Sequence, residues 1–489
     1  MLRLVLISAV ALLAGLFYKY IIYPACISPF SKVPRAHFSV PFTSIWIRWK
    51  RPEGTNAIQT LLAAHNKHGP IVRLSPDELS VASLDGLRQI YTGGFEKAQE
   101  YEDKFMNYGI PSLVSMLQSK PHSVQKRMVS NVYSKSSIQN SADLQTLSKV
   151  LLFERMFPPL QSAAQEDVAV DAYGLSQALG SDFVTAFLFG LDNCTNFIRD
   201  LPARRKFMAN YWAKKDGVDV KRATDELEAH ILSLCRAAEA LPGNSPVSRP
   251  VVHAQLFSQL SKSSKSPQQK ELVVASEMLD HVFASIDTTT VTMTYLKWEL
   301  SRNPGLQSAL RKELLNLSSP LVYTPNASQG ERRLPDPKEL DSLPLLNAVL
   351  KEVLRVYPPT PALLDRVTPP GGAVIEGYAI PGGIRVGTSA KVMHLNEEVF
   401  SDAGSFVPER WLSDGKEESV NRIKEMNRWF WAFGSGGRMC IGNHFATHSR
   451  FHHLCLMPTQ LGGLPEIENL VLIVENSAQI YYSSDLYEL

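Results

Sequence analysis

Most cysteines are inert side chains, but one whose surroundings favour the thiolate is a nucleophile or a metal ligand. Cys440 is such a residue. It belongs to the run F-G-S-G-G-R-M-C-I-G over residues 433–442, just ahead of an expected helix, where the positive end of the dipole and Arg438 would favour the charged form. Four glycines among those ten residues would let the backbone approach something flat and rigid. A second group is Asp287, Thr288, Thr289 and Thr290, an acid and three β-branched hydroxyls in mid-helix, where such residues are poor helix formers. A polar stripe facing solvent is the plain reading, yet Leu279, Val282, Phe283 and Ile286 crowd around the group and favour a cavity lining. Glu352 and Arg355 form a third pair, three residues apart on one face of a helix expected over 345–356 and stopped by Pro358 and Pro359. Solvated helices carry such pairs routinely.

These residues need a body to position them. The chain has 489 residues, 44% hydrophobic and 20% charged, which is globular composition and excludes disorder, collagen and coiled coil. Period 3.6 dominates, and strand-like stretches are short, at 71–75, 80–82, 373–375 and 385–388. The fold class is therefore mainly α with small β-sheets. The longest periodic segment opens with Ser266 as N-cap and Pro267 at the first helical position and ends at Asn303 and Pro304. At 1.5 Å per residue it spans roughly 54 Å, enough to cross the molecule. Prolines and the S-K-S-S-K-S run mark 241–266 as a surface loop.

The net charge of +2 offers no bulk attraction for nucleic acid, and five scattered cysteines without a C-x-x-C pair suit neither a disulfide framework nor a structural zinc site. Residues 4–17 carry no charge and the apolar character resumes at 21–23, about the hydrocarbon thickness of a bilayer. Residues 1–23 are thus expected to be a retained transmembrane anchor, residues 24–51 a proline-rich hinge and residues 52–489 the catalytic body. Basic residues follow the anchor and only Arg3 precedes it, so the body is expected to face the cytosol.

Phe433, Gly436, Arg438, Cys440 and Gly442 fit F-x-x-G-x-R-x-C-x-G, and on these residues the chain resembles the cytochrome P-450 superfamily. Supporting matches are E-x-x-R at Glu352 and Arg355, F-V-P-E-R-W with Arg410 at 406–411, and A-S-I-D-T-T at 284–289, which is similar to the family's oxygen-binding A-G-x-D-T-T. The resemblance implies that Cys440 is the axial thiolate of haem b, and that Arg438, Arg366, His122 and Lys126 hold the haem propionates. The family usually has Trp and Arg where His122 and Lys126 stand, and Arg127 is an alternative to Lys126. It further implies that Glu352, Arg355 and Arg410 form a buried cluster, and that Thr288 and Asp287 relay protons to dioxygen.

Two departures stand out. Ser285 replaces the glycine of the oxygen-binding segment, and after Arg450 the tail, with Pro458, Gly462 and Gly463, lacks the long amphipathic helix expected behind the haem. The implied activity is insertion of one oxygen atom into an apolar small molecule. Electrons would come from NADPH through a separate cytochrome P-450 reductase, with cytochrome b5 as an optional second donor, because the chain carries no G-x-G-x-x-G after a strand. The implied setting is the endoplasmic reticulum membrane, crossed once. The segments 68–79 and 394–400 resemble fungal enzymes of secondary metabolism. Two other readings are an isomerase or dehydratase that needs no reductase, and a haem-binding membrane protein without turnover. Segments 106–116, 197–212 and 361–364, with Phe283, are the expected pocket lining.

Overall fold

The computed structural model describes residues 2–50, 55–166, 168–241, 249–323, 328, 330–454 and 472–473. The apolar N-terminus forms helix α1 (Leu2–Phe17), which continues through wider turns over Tyr18–Ile27, where the Ser28 amide reaches back five residues to the Tyr23 carbonyl. Pro24 lies inside those turns, so the helix passes the expected end of the anchor at residue 23. Opening to i→i+5 bonding accommodates a proline that an ordinary α-turn would reject. Arg3–Ile27 is long and apolar enough to cross a membrane, and none of it is buried against the rest of the protein.

The segment that follows is fastened to the body. Arg73 donates to the Pro24 carbonyl at 3.4 Å and lies 3.9 Å over the Phe30 ring, while the Arg73 amide bonds to the Pro34 carbonyl. Beyond it, the short helix α2 (Ile45–Lys50) buries Ile47 and leaves Ile45 and Trp49 about two-thirds exposed, next to exposed Phe38 and Phe42.

Among the described residues nine strands form three small sheets: β1 (Ile71–Ser75), β2 (Glu78–Val81), β3 (Glu96–Lys97), β4 (Val170–Asp171), β5 (Arg366–Val367), β6 (Ala373–Ile375), β7 (Tyr378–Ile380), β8 (Arg385–Gly387) and β9 (Leu472–Ile473). The largest has the order β1-β2-β8-β5-β3, with β2 and β8 parallel and the other pairs antiparallel. All four expected strands occur, shifted by at most two residues at an end.

The helical body is built from α3 (Ser119–Val129), α4 (Ala172–Phe189), α5 (Leu201–Lys215), α6 (Val220–Glu239), α7 (Val251–Ser261), α8 (Pro267–Arg302), α9 (Pro344–Val356), α10 (Glu417–Trp429) and α11 (Asn443–Leu454). Helix α7 corrects the expectation of a loop over 241–266. Val252, Leu256 and Leu260 recur every four residues and are wholly or almost wholly buried, so packing overrides the proline- and serine-rich composition around them. Residues 242–248 of that stretch lie outside the described residues.

Helix α8 starts and stops as the sequence predicts. The Gln269 amide donates to Ser266 Oγ at 3.2 Å and the Ser266 amide donates to Gln269 Oε1 at 3.1 Å, a reciprocal cap ahead of Pro267. Its 36 residues run through the core, and every residue from Val273 to Val282 is buried. Helix α4, buried along almost its whole length, lies against it. Gly180 faces Thr289 across that contact, where a Cβ would meet Cγ2 of Thr289 at an ordinary van der Waals distance of 3.7 Å. Cys26, Cys194, Cys235 and Cys440 form no disulfide among the described residues, while Cys455 and the tail residues Pro458, Gly462 and Gly463 lie outside them.

Candidate active site

The Glu352 pair is not a solvated decoration. Glu352 and Arg355 have fully buried side chains, and the Glu352 carboxylate accepts from Arg355 Nε and Nη2, Arg410 Nε, the Val407 amide and Trp411 Nε1, all within 3.0 Å. Arg355 turns its remaining donors to the carbonyls of His394, Ala403 and Ser405. A buried ion pair is tolerated when its hydrogen-bonding capacity is filled to this extent. His394 extends the cluster toward the cysteine. Its Nε2 accepts the Trp431 amide at 2.8 Å, so Nδ1 carries the proton and donates to the Arg355 carbonyl at 3.1 Å. Burial and the Arg355 charge push His394 down to about 3, so the ring stays neutral and that tautomer holds.

From Trp431 the chain enters the glycine-rich loop. Gly434 and Gly436 adopt φ of +69° and +68°, which side-chain-bearing residues rarely do, and a Cβ on Gly436 would lie 2.3 Å from the Tyr91 carbonyl. The Cys440 amide donates to the Phe433 carbonyl at 2.9 Å, closing the loop, and the thiol-bearing residue is exposed. Lys126 of α3 ties the loop from outside, donating to the carbonyls of Gly437 at 3.0 Å and Met439 at 2.7 Å. Helix α11 then holds the loop to the core, because Phe445 stacks on Phe187 at 4.8 Å and meets Phe183 and Tyr133. Gly442 supplies the carbonyl that accepts the Ala446 amide in the first turn of α11.

Beside this loop the structure collects cations. Antiparallel pairing of β3 with β5 sets Lys97 directly opposite Arg366, an arrangement that like charges normally avoid. Arg366 lies over the rings of Tyr91 and Tyr101 at 4.9 and 5.9 Å. Burial and the guanidiniums of Arg366 and Arg438 push Lys97 down to about 7. His122 is pushed down to about 3 by burial and by Arg438, Lys97, Lys126 and Arg366. Arg438 donates to the Met116 and Leu117 carbonyls and to Glu96, and its Nε is buried without a hydrogen-bond partner. Groups that depress one another's proton affinity, with an orphaned guanidinium N–H among them, have the chemistry of a site for paired carboxylates. The residues present therefore fit the propionates of a haem, with Cys440 on the adjoining loop as the ligand its iron requires.

Of the expected propionate residues, Arg366, Arg438 and His122 belong to this cluster, Lys126 adds its charge there while also binding the cysteine loop, and Arg127 is exposed. Lys97 joins the cluster without having been singled out in the sequence. A two-residue strand has no periodicity to announce it, and its partner strand is far along the chain.

Helix α8 borders the same region, since the charges of Glu277 and Asp280 reach Lys97. In mid-core Ala284 is exposed, and Thr288 and Val291, one and two turns on, are only half-buried, which defines an open stripe. Thr288 lies on that stripe and donates to the Ala284 carbonyl at 2.8 Å, while Thr289 and Thr290 are buried. Ser285 and Asp287 flank the stripe, and Asp287 pairs with Lys215 of α5 at 3.2 Å. Phe283 of α8 meets Tyr211 of α5 at 5.1 Å. Phe197 and Phe207, expected along the pocket, instead pack together in the core.

A thiol loop, a cation cluster with the chemistry to suit carboxylates and an open stripe on a long buried helix are the features that a haem-thiolate protein requires. The family model for cytochrome P-450 matches residues 180–457, which contain the cysteine loop, the Glu352 cluster and α8. The chain is 31% identical to the cytochrome P-450 monooxygenase avaI of Aspergillus versicolor, over 80% of its own length and 94% of that protein's. It is 26% identical to gsfF of Penicillium aethiopicum over 88% of each chain, and 24% identical to FGM1 of Gibberella zeae over 79% and 78%, both also cytochrome P-450 monooxygenases. The chain belongs to the cytochrome P-450 family, and its class is that of the haem-iron monooxygenases.

Proposed function

We propose that this protein is a membrane-anchored monooxygenase of fungal secondary metabolism, which inserts one atom of dioxygen into an apolar small molecule. It would bind haem b through Cys440 and draw electrons from NADPH by way of a separate cytochrome P-450 reductase, with cytochrome b5 as an optional second donor. The observation that carries the reading is the conjunction of the glycine-shaped Cys440 loop with the opposed Lys97 and Arg366, a pairing that an anionic cofactor would relieve. The bound group supplies the redox chemistry, because a thiolate-ligated haem iron favours O–O cleavage over reversible oxygen binding.

The protein's own residues do the rest. Arg438, Arg366, Lys97 and His122 would hold the two carboxylates, and the carbonyls of the loop are kept in place by Lys126. Thr288 places a hydroxyl on the open stripe, and it would relay by turning its proton from the Ala284 carbonyl into the pocket and accepting another in its place. Asp287 would supply protons from the pocket's edge, and its pairing with Lys215 joins that acid to α5. Phe283 and Tyr211 present apolar surface that would exclude water and hold an apolar substrate. The test is NADPH consumption by purified protein with and without reductase. Product formed only with reductase supports the reading, and turnover of a peroxide or oxime without it supports an isomerase or dehydratase.

The anchor would span the endoplasmic reticulum membrane once, with the body on the cytosolic side. Deleting residues 2–23 should release only part of the protein from membranes, since exposed Phe38, Phe42, Ile45 and Trp49 with Arg48 and Lys50 form a further apolar and basic face. Membrane flotation of the truncated chain measures this, and complete solubility would show that α1 acts alone.

A further inference from the structure

Between the short helix Glu100–Phe105 and α3, residues 106–118 form no helix and no strand beyond a single Asn107–Ile110 bridge, yet Asn107, Ser112, Leu113 and Ser115 are buried. A buried irregular segment must find partners for its backbone polar groups among side chains. Four of its carbonyls find them on cations, and its amides turn to acids. The Leu113 and Val114 carbonyls accept from Lys97, and those of Met116 and Leu117 accept from Arg438. Toward α8, the Leu113 amide donates to Glu277 Oε2 at 3.1 Å, the Val114 amide faces Asp280, and Ser276 donates to the Ile110 carbonyl at 2.8 Å.

Glu277 is itself held in place. Glu277 is fully buried, accepts from Gln125 of α3 at 2.6 Å and lies 3.1 Å from His281 Nε2, while His281 Nδ1 bonds the Tyr133 hydroxyl at 2.9 Å. At its start the segment reaches the helices over the pocket, with the Tyr108 amide donating to Glu228 of α6 at 2.6 Å and Lys214 of α5 donating to Asn107. One stretch of backbone thus links α5 and α6, the central helix and the cations of the cofactor site.

We propose that Glu277 and Asp280 are positioning residues that fix segment 110–117 as a rigid wall of the substrate pocket, and that they thereby set the size of substrate admitted. The apolar side chains of the segment give affinity, and the acid pair gives the wall its place. The proposal rests on the monooxygenase reading, since it takes the space beside the cation cluster to be a substrate pocket.

The experiment is amide hydrogen exchange on the full-length holoenzyme, paired with difference-spectrum binding of two probes, imidazole and the bulky clotrimazole. In Glu277→Ala the amides of 110–117 should exchange at least about tenfold faster while α9 keeps its protection. Clotrimazole association should quicken by a similar factor, with imidazole changed by less than about twofold. Should Glu277→Ala fail to fold, Asp280→Asn keeps an acceptor for the Val114 amide but loses the charge, and should show the same pattern more weakly. Unchanged exchange over 110–117 in either folded variant, or equal acceleration of both probes, overturns the proposal. Absence of any imidazole spectrum in the unmutated protein would instead count against the monooxygenase reading, and the exchange data would still decide whether the acids hold the segment.

Discussion

Glu352→Ala should yield little or no haem-containing protein. The carboxylate accepts from five donors, two of its partners are guanidiniums buried with it, and its removal leaves those charges uncompensated. Breaking a buried pair in this way costs about 3 to 5 kcal/mol, a large fraction of the roughly 5 to 15 kcal/mol that holds a domain folded. The damage should reach the cysteine loop specifically, since Arg355 and Trp431 are joined through His394. Haem-to-protein ratio and thermal unfolding of the variant measure the effect. Full haem content at normal yield would mean that the cluster does not support the loop.

Thr288→Ala should separate electron consumption from product. Monooxygenation needs two protons delivered in a water-poor pocket, and the open stripe of α8 offers the Thr288 hydroxyl for that delivery. Without it, NADPH should continue to be consumed while hydrogen peroxide is released in place of product. Thr289→Ala should be much milder, because Thr289 is buried against Gly180 of α4, about 100° around the helix. Ser285→Gly, at the edge of the stripe, should raise coupling if the hydroxymethyl group obstructs oxygen and lower it if the hydroxyl has joined the relay. Peroxide released per NADPH consumed decides among these, and equal coupling in the unmutated protein and Thr288→Ala would defeat the relay and favour the isomerase reading.

Legibility in the sequence followed the range of the interactions. Helix α8 was readable because its cap, its first-turn proline, its apolar period and its final Asn-Pro all lie on one continuous stretch. The cysteine loop was readable because φ values near +70° at Gly434 and Gly436 demand glycine at fixed places. Glu352 with Arg355 was only a pair at helical spacing, and its joining to Arg410 came from family resemblance, since no local pattern shows which distant residues close a cluster. The opposition of Lys97 and Arg366 was not legible, because two-residue strands leave no period and their pairing is decided by the fold. The same holds for Glu277 and Asp280, which read as polar positions on a periodic helix until segment 110–117 is seen beside them. Helix α7 was missed for the opposite reason, because composition spoke louder than three well-spaced apolar residues.

The central claim is that Cys440 is the thiolate ligand of a haem iron. It is tested most directly by the absorption spectrum of the dithionite-reduced, carbon-monoxide-treated full chain, recorded beside Cys440→Ser. The unmutated protein should show the strongly red-shifted Soret band of a thiolate-ligated iron. The variant should lack it, since a serine hydroxyl is a far weaker and protonated ligand. The same band in both proteins, or its absence from the unmutated protein when haem is bound, would contradict the assignment.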